Sequence, residues 1–552
     1  MTAMPGMGRL YLDYCRALTG EQQDAGLPGG WYALGEPPPL GWLGAGGQAG
    51  DWAGGQAGRR ESGTAELVAL LAEQNTLPEQ QAALGRIGAG ARVVVTGQQV
   101  GLFGGPAFTA YKAASAVAMA GAATAAGAAH EAIFWLATED HDFAEINHVV
   151  FPGPGSPGRR TLERLTYGEA PAEAVPVGQV VLGHSIEPLV EAAQELLGYS
   201  DAAEWLGAAY RPGNTLAGAF AEFYGRVFAS HGLLTLDPAG RAAHRLGAPV
   251  FRAAIERADE LHAALVERGR ELVAAGYHAQ VAVGERSSVL FLMERETGAR
   301  VALRRTQATT GEPQGLWQAG RRMYTTSELL GIVAEEPERI SPSALLRPVF
   351  QDFILPNSAY VGGPAEIAYF AQSAVLYERI LGRQTPVLPR LSATLVEPAV
   401  GELLARHGQS AEAVFGAKED ELKQRLGARA MPVEGKLLLA GAGSALDREL
   451  TALTEYMAAM DESLGRSAHV SASKMRYQMN RLRRMAAKYQ LQRESSIGRD
   501  AGALCQALSP GGSLQERTIG AAYFLAGHGE GLVDCLVAEA GDGRPGHKVV
   551  WV

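Results

Sequence analysis

The chain has 552 residues and a mass of 58.2 kDa, which corresponds to three to four domains at roughly 150 residues per domain. Its 49 basic and 59 acidic residues give a formal net charge of −10, which argues against a protein that coats nucleic acid with a strongly basic surface. Hydrophobic residues make up 47% and charged residues 20%, a composition typical of a globular protein.

Three features bear on location. Three cysteines in so long a chain do not make a disulfide framework and favour a reducing compartment. The N-terminus lacks the basic and apolar regions of a signal peptide. The uncharged stretch 113–129 is mostly Ala and Gly and is too short for a membrane span, so we expect a packed core helix there. We therefore expect a cytoplasmic protein that does not enter a membrane.

The first elements predict an α/β core. Segment 35–63 is a Gly- and Pro-rich loop, and a helix follows at about 64–86. Residues 91–95 (ARVVV) form the β-branched run of a buried parallel strand. A second strand at 132–137 (AIFWLA) follows a helix that carries Lys112. Strand, helix and strand at this spacing predict a right-handed βαβ unit.

A second α/β segment follows connecting insertions of mixed helices and strands at about 151–340, which include a long helix predicted at 241–275. Its strand at 359–361 runs into GGPAEIAY at 362–369, which shares six of eight residues with GGPAFTAY at 104–111. Each places Pro at a helix N1 position directly after two glycines. Chance can explain the likeness, but both copies lie at a strand, turn and helix start. We assign residues 1–395 to this core with its N-terminal segment.

Residues 396–510 have the pattern of long helices. Two successive helices carry opposite charge, acidic on the first and basic at 474–493, which predicts an antiparallel coiled-coil arm. The basic helix suggests nucleic-acid binding as an alternative. The acidic helix neutralises its charge, however, and a solvated coiled-coil face is favoured. Residues 511–552 are expected to return to the core and to end in a strand at 548–552 that joins its sheet. The heptad seam of the first helix consists of Leu446, Leu450, Leu453, Met457, Met460 and Leu464.

The first candidate site is the turn TGQQVGLFGGP, which follows the first strand. Gly104 and Gly105 let backbone N–H groups approach a ligand, and the following helix N-terminus favours an anion. Gln98 and Gln99 add amide donors and acceptors beside Thr96. The motif is neither a Walker A loop nor G-x-G-x-x-G, and a tight turn without a ligand is the alternative.

The second candidate site is the polar cluster after the second strand, which contains Asp140, His141 and Asp142. Open α/β sheets bind ligands at this end of their strands. A histidine between carboxylates can be a general base whose tautomer a neighbour fixes. Metal ligation is an alternative, but adjacent residues of an extended chain point to opposite faces, so we predict no metal. A solvated acidic turn is the third interpretation.

The third candidate site is the turn Gly362–Gly363 with Glu366 and Tyr369. A carboxylate in the first helical turn complements the helix dipole. Alternatively, Glu366 binds a substrate amine beside Tyr369. The sequence does not separate these two interpretations.

Long motifs along the whole chain resemble the cysteine-adding enzymes of bacillithiol biosynthesis. They are TGQQVGLFGGPAFTAYK, FWLATEDHDFAEINHV, SPSALLRPVFQDFILPNSAYVGGPAEIAYFAQ and LSPGGSLQERTIG, in this order. Asn357 departs from the small residue expected there. The resemblance implies a Rossmann-type core related to class I aminoacyl-tRNA synthetases, with connecting insertions and a coiled-coil domain that forms a homodimer.

The resemblance also implies a ligase that joins cysteine to the amine of glucosaminyl-malate in the last step of bacillithiol synthesis. ATP or ADP is the candidate cofactor, contacted by Arg390, Ser392 and Thr394. An adenylylating nucleotidyltransferase and a non-catalytic dimeric scaffold are the alternatives. The catalytic residues expected are Asp140, His141 and Asp142. The substrate-binding residues expected are Thr96, Gln98, Gln99, Gly104, Gly105, Lys112, Gly362, Gly363, Glu366 and Tyr369.

Overall fold

The structure is a computed structural model that describes residues 7–19, 27, 31–32, 60–153, 161–306, 316–493 and 495–552. Most of the predicted loop at 35–63 lies outside these residues. The chain forms two compact units. The first consists of residues 1–151, 163–393 and 516–548, and the second of residues 152–162, 394–515 and 549–552.

A five-stranded parallel sheet forms the centre of the first unit, in the order β12-β11-β1-β2-β5. A second, antiparallel sheet lies within the insertions, in the order β10-β6-β7-β8-β9. The strands are β1 (Arg92–Gln98), β2 (His130–Leu136), β3 (His148–Pro152), β4 (Leu162–Thr166), β5 (Leu234–Leu236), β6 (Ser287–Met293), β7 (Arg300–Arg305), β8 (Leu316–Ala319), β9 (Arg322–Thr325), β10 (Ile340–Pro342), β11 (Asn357–Gly362), β12 (Val387–Pro389), β13 (Ser392–Val396) and β14 (His547–Trp551).

The order of the parallel strands reverses between β1 and β11. The chain passes outward from β1 through β2 to β5, and then returns to the other side of β1 to form β11 and β12. In an open α/β sheet such a reversal leaves a crevice at the carboxyl ends of the two strands, which is the usual ligand site. The strand order confirms the predicted Rossmann-like fold class.

Strand β1 is longer than predicted. Val93, Val94 and Val95 are fully buried, as a strand covered on both faces requires. The parallel pairing with β2 continues to the pair Gln98–Leu136. The residues from Thr96 to Gln98, predicted as a turn, therefore belong to the strand, because the neighbouring strand supplies hydrogen-bond partners up to that point.

The helices of the first unit include the predicted core helix, here Phe108–Ala125. Two predicted long helices are each divided, at 75–77 before Pro78 and at Arg257. Proline at N1 starts a new helix because it has no N–H group to donate to the preceding turn. The helices up to residue 381 are α1 (Arg9–Thr19), α2 (Arg60–Gln74), α3 (Pro78–Gly88), α4 (Phe108–Ala125), α5 (Phe143–Ile146), α6 (Glu187–Leu197), α7 (Asp201–Ala209), α8 (Leu216–Val227), α9 (Arg241–Glu256), α10 (Ala258–Ala274), α11 (Thr326–Glu335), α12 (Arg347–Ile354) and α13 (Pro364–Leu381).

The second unit contains the two long helices that the sequence predicts. They run antiparallel, since Arg476 of the second donates to Asp447 of the first at 2.8 Å and Arg483 reaches the carbonyl oxygen of Leu439. The predicted charge pairing is thus present. The two long helices are α16 (Val433–Met460) and α17 (Glu462–Arg493), and this unit also contains α14 (Pro398–His407), α15 (Glu419–Ala430) and α18 (Ser495–Leu508). The chain continues with α19 (Gln515–Thr518) and returns to the first unit with α20 (Ala521–His528) and α21 (Glu530–Gly541).

The heptad seam is only partly covered in the single chain. Leu450 is buried, whereas Leu453 and Met460 are exposed. The last strand also differs from the prediction, because β14 pairs with β13 in a separate two-stranded sheet and does not join the five-stranded one. Strand β13 follows the edge strand β12 and provides the backbone groups that β14 needs. Within the described ranges, no helix combines the length and apolar character needed to cross a membrane.

Candidate functional site

A pocket of about 280 Å³ lies in the first unit at the carboxyl ends of β1 and β11, where the strand order reverses. Its volume is close to the lower end of the range for small-molecule sites. The residues predicted from the sequence that line it are Gln98, Gln99, Lys112, Asp140, Gly363, Glu366, Tyr369 and Arg390. The pocket also contains polar residues that sequence reasoning missed, namely Glu145, Arg347, Gln351, Tyr360 and Arg517.

Lys112 joins the two strand ends. Its Nζ donates to the carbonyl oxygen of Gly97 at 2.6 Å and to Oε1 of Gln98 at 2.9 Å, and it forms an ion pair with Oε2 of Glu366. Burial lowers the pKa of Lys112, and the charge of Glu366 opposes that shift. An ammonium has three protons to donate, and each has an acceptor here. Lys112 therefore fastens the end of β1 to the start of α13.

Glu366 receives three donors from different parts of the turn. Besides Lys112, the N–H group of Gly363 donates to Oε2 at 2.7 Å and the hydroxyl of Tyr360 donates to Oε1 at 2.6 Å. A first-turn carboxylate that accepts from the N-cap backbone is one half of a capping box. Glu366 lies in the first helical turn, as predicted, and its capping contact coexists with a position on the pocket wall.

Arg347 and Tyr369 form another part of the wall. Nη2 of Arg347 donates to the Tyr369 hydroxyl at 3.3 Å. Burial raises the pKa of Tyr369 to about 12, although the nearby cation of Arg347 acts in the opposite direction. Arg347 stands in the motif SPSALLRPVF and is the first residue of α12, directly before Pro348. Its place at a helix start that the proline marks was the signal available in the sequence.

Asp140 faces the pocket as a carboxylate. Gln99 donates from Nε2 to Oδ2 of Asp140 at 2.8 Å and to Oε2 of Glu145 at 3.0 Å. The N–H group of His141 donates to Oδ1 at 2.7 Å. Burial by itself would raise the pKa of Asp140, but these hydrogen bonds and the charges of Arg300 and Arg347 outweigh it and lower the pKa. Asp140 is thus an ionised acceptor near neutral pH.

The other two residues of the predicted catalytic cluster lie outside the pocket lining. The side chain of His141 is 40% exposed. Asp142 caps the short helix α5, since its Oδ1 accepts from the N–H group of Glu145 at 3.2 Å. Of the three, the structure therefore brings only Asp140 into the pocket.

The three residues predicted for nucleotide contact are all buried. Arg390 lines the main pocket and forms a two-point ion pair with Glu516, at 2.6 and 3.1 Å. Its Nε is buried without a partner among the described residues. Oγ of Ser392 is 2.8 Å from Nδ1 of His547. Thr394 is fully enclosed.

Four predicted substrate residues also lie outside the pocket lining. Thr96 is buried and donates to the carbonyl oxygen of Val361 at 2.9 Å. The N–H group of Gly104 donates to the Tyr210 hydroxyl at 3.0 Å. Gly105 has a φ of +69°, and the carbonyl oxygen of Gly362 accepts from the N–H of Arg390. Their contacts are those of the framework behind the site.

Among the described residues, no cluster of three or more His, Cys, Asp or Glu side chains has the arrangement needed to hold a metal ion. The polar groups that line the pocket are carboxylates, guanidinium groups, amides, the Lys112 ammonium and the hydroxyls of Tyr360 and Tyr369.

Comparisons with known proteins agree with the fold. Residues 53–391 match the Rossmann-like N-terminal domain of the bacillithiol-biosynthesis protein BshC, and residues 393–552 match its C-terminal coiled-coil domain. The chain belongs to the BshC family. The predicted family and its two-domain class are thereby confirmed.

Curated BshC relatives cover most of the chain. The protein from Koribacter versatilis is 43% identical over 90% of this chain and 91% of its own length. The protein from Solibacter usitatus is 38% identical over 84% and 85%, and that from Salinibacter ruber 33% over 83% and 82%. Each is named "Putative cysteine ligase BshC". The prediction of a ligase-type enzyme of bacillithiol biosynthesis is confirmed at this level.

Proposed function

We propose that the chain joins cysteine to the amine of glucosaminyl-malate, in the last step of bacillithiol synthesis. The observation that carries this proposal is the charge distribution of the pocket. Asp140 and Glu145 provide carboxylates, whereas Arg347, Arg390 and Arg517 provide guanidinium groups. A substrate with an amine at one end and a dicarboxylate at the other is complementary to such a pocket.

The malate carboxylates are assigned to the basic residues. Lys112 has no free proton, because its three acceptors are Gly97, Gln98 and Glu366. Nη1 and Nη2 of Arg390 are bound to Glu516, and its buried Nε has no partner among the described residues. The exposed side chain of Arg517 also lines the pocket, and a guanidinium group can bind a carboxylate with two parallel hydrogen bonds. Arg517 is therefore the proposed main malate contact, and Arg390 adds one hydrogen bond from Nε.

The amine is assigned to Asp140. An amine attacks a carbonyl carbon only as the neutral form, so the ammonium must lose a proton. A carboxylate within hydrogen-bond reach can accept that proton as a general base. The C–N bond then forms at the activated carboxyl carbon of cysteine, and the activating group leaves with the electron pair of its bond. Positioning of the two substrates in one pocket supplies much of the remaining rate.

We derive no step through a nucleotide. Of the side chains predicted to contact ATP or ADP, Arg390 offers only Nε because its Nη atoms bind Glu516, and Ser392 is paired with His547. We assign Arg390 to the proposed malate end. We also propose a cytoplasmic location, which the free thiols of Cys15, Cys505 and Cys535 support.

The exposed apolar side of the coiled coil is proposed to bind a second copy of the chain. Large apolar side chains are exposed along both long helices, and a face of this size is uncommon on a monomer. Light scattering should give twice the chain mass, and Met475→Glu with Leu482→Glu should give the monomer. Ser467→Glu on the same helix is the control; a monomeric wild type contradicts the proposal. The exposed residues are Leu453, Tyr456, Met460, Val470, Met475, Tyr477, Leu482, Met485 and Tyr489.

The function is tested by incubating the protein with cysteine, glucosaminyl-malate and candidate activators, and by measuring the cysteine adduct by mass spectrometry. Arg517→Gln should raise KM for glucosaminyl-malate about tenfold or more, because a charged hydrogen bond contributes about 1.5–3 kcal/mol. Arg321→Gln, at an exposed turn, is the control.

Absence of the adduct with every activator would contradict the proposal. Release of pyrophosphate from ATP without the thiol substrates would favour the nucleotidyltransferase alternative. A Gln98 and His141 double substitution that keeps the full cellular role would favour the scaffold.

A further inference from the structure

The side chain of His141 faces an arginine from the antiparallel sheet of the insertions. Nη1 of Arg300, the first residue of β7, lies 3.3 Å from Nδ1 of His141, with hydrogen-bond geometry. Oδ1 of Asp140 lies 3.7 Å from the same Nδ1, which is beyond hydrogen-bond distance. The closest polar partner of Nδ1 is therefore a guanidinium group.

Arg300 is itself held in one orientation. Its Nε donates to Oγ of Ser341 at 3.0 Å, and Nη2 donates to the carbonyl oxygen of Pro342 at 2.8 Å. The guanidinium carbon lies 3.7 Å from the centre of the Phe291 ring, a cation–π distance. Because the guanidinium is planar and held on three sides, the direction of Nη1 is fixed toward His141.

An arginine can only donate hydrogen bonds. Nδ1 of His141 must therefore accept, and in a neutral imidazole the proton is then on Nε2. Around the ring, Asp140 is the acidic neighbour on its own loop, Arg300 is the cation from β7, and Phe291 from β6 lies 6.2 Å away. A proton on Nδ1 would remove the acceptor of Nη1, and a ring with protons on both nitrogens would also place two cations in contact.

We propose that Arg300 is a positioning residue that holds His141 as the neutral Nε2–H tautomer, so that His141 donates a hydrogen bond and does not act as a base. With Nδ1 engaged and Nε2 protonated, the ring has no free lone pair in its plane. The side chain lies outside the pocket lining but is 40% exposed, so a substrate that extends from Asp140 beyond the lining can reach it.

Resting on the proposed ligase reaction, this tautomer assigns complementary roles to neighbouring residues. Asp140 accepts the proton of the attacking ammonium, while Nε2–H of His141 donates to the carbonyl oxygen of the activated cysteine. That oxygen gains negative charge as the C–N bond forms. A hydrogen bond aimed at developing charge stabilises the transition state more than the ground state.

The tautomer is measured without any substrate. In the full chain labelled with ¹⁵N-histidine, two-bond N–H correlations at pH 8 distinguish Nε2–H from Nδ1–H rings. The His141 signal is assigned by its loss in His141→Gln, and the exposed His184 is the internal reference. We expect His141 to be neutral with the proton on Nε2. A proton on Nδ1, or a charged ring at pH 8, would overturn the proposal.

The role of Arg300 is tested in Arg300→Met and Arg300→Lys. Without the planar donor, Asp140 becomes the nearest acceptor, and the Nδ1–H fraction should rise several-fold. Arg300→Lys keeps the charge and supplies the answer if the Met variant does not fold. An unchanged tautomer in a folded variant would overturn the role of Arg300.

Kinetics then separate a donor from a base. The Gln amide nitrogen can take the place of Nε2, whereas that of Asn corresponds to Nδ1. His141→Gln should therefore lose less than about tenfold in kcat, and His141→Asn about a hundredfold or more. The pH profile of His141→Gln should keep its acidic limb. Loss of that limb would make His141 the base, even if the ligase reaction itself is confirmed.

Discussion

The two turns that share GGPA in the sequence have different roles in the structure. In the first, Gly104 and Gly105 have φ values of +84° and +69° and lie outside the pocket lining, and Gly104 packs against the aromatic rings of Phe223 and Tyr224. In the second, Gly363 has an extended φ of −82° and lies on the pocket wall. The fifth position is Phe108 in one copy and Glu366 in the other.

This difference shows how one local motif can serve packing or binding. Proline starts the helix only in the second turn, where Pro364 is the first residue of α13. The N1 position predicted for Pro106 is wrong, because Pro106 forms a β-bridge with Gly520 and precedes Ala107, the N-cap of α4. Phe108 adds an apolar surface beneath the guanidinium of Arg390, 5.2 Å away. Glu366 adds a charge that binds Lys112 from the helix of the first turn. One ion pair thus links the two turns across the strand reversal, and the second turn supplies its carboxylate.

Glu366→Gln is the strongest test of this contrast. It leaves the buried Lys112 cation without its anion, so we expect a loss of about 3 kcal/mol or more in the free energy of unfolding, with loss of activity. Denaturant titration measures it, and Glu378→Gln, exposed on the same helix, is the control. Adding Lys112→Met should recover part of the loss. If Glu366→Gln lowers the free energy of unfolding by less than about 1 kcal/mol, the ion pair is not what links the two turns.

Substituting alanine for a glycine in each turn should have different effects on stability, because the two turns differ in backbone conformation. In Gly104→Ala the new Cβ would lie 2.8 Å from the Phe223 ring at a positive φ, so we expect a destabilisation of about 2 kcal/mol. In Gly363→Ala the nearest atoms are side-chain ends of Glu366 and Arg390, at 3.4 and 3.5 Å. This variant should lose less than about 1 kcal/mol but should bind substrate less well. Equal unfolding free energies for the two variants would contradict the contrast.

The end of β2 offers a third strand terminus with a buried ion pair, between Nε2 of His244 and Oε1 of Glu139 at 3.2 Å. Burial would lower the pKa of His244, but Glu139 outweighs it and raises it. The same partner lowers the pKa of Glu139 against the effect of burial. Like the Lys112 pair, this pair should stabilise the fold, but only within a limited pH range.

The pH range in which the pair stabilises the fold follows from the directions of the two pKa shifts. The stabilisation by His244 is complete below its unfolded pKa of about 6.5 and is lost as pH rises through the raised folded value. The stabilisation by Glu139 is complete above its unfolded pKa of about 4.5 and is lost as pH falls through its lowered folded pKa. The unfolding free energy of wild type minus that of His244→Gln should therefore be largest between about pH 5 and 6.5. A difference that is constant from pH 4 to 9 would contradict it.

The smallest expected effect concerns the last tyrosine of each motif copy. The hydroxyl of Tyr111 is buried without a partner among the described residues, so Tyr111→Phe should leave stability unchanged or slightly raised. Tyr369→Phe removes the acceptor of Arg347 and should cost about 1 kcal/mol. Thermal unfolding measures both, and a larger cost for Tyr111→Phe would reverse the assignment of the two turns.

Sequence patterns identified the strands and helices more accurately than the residues at which they end. The β-branched run at Val93–Val95 identified β1, but its carboxyl end depended on pairing with β2, which no local pattern reveals. The helix predicted at 241–275 is interrupted at Arg257, which binds Glu260 and the carbonyl oxygen of Arg379. Such ends are decided by contacts between residues distant in sequence.

By itself, the sequence determined the family, the Rossmann-like class, the coiled-coil arm and eight residues that line the pocket. These depend on residue type and local spacing, which the chain carries directly. Only the tertiary structure decided that Lys112 is saturated, that Asp142 is a helix cap, and that Arg347, Arg517 and Arg300 approach the site. Donor saturation, capping and the approach of distant arginines depend on which strand ends meet, and the sheet order sets that through pairing between residues hundreds of positions apart.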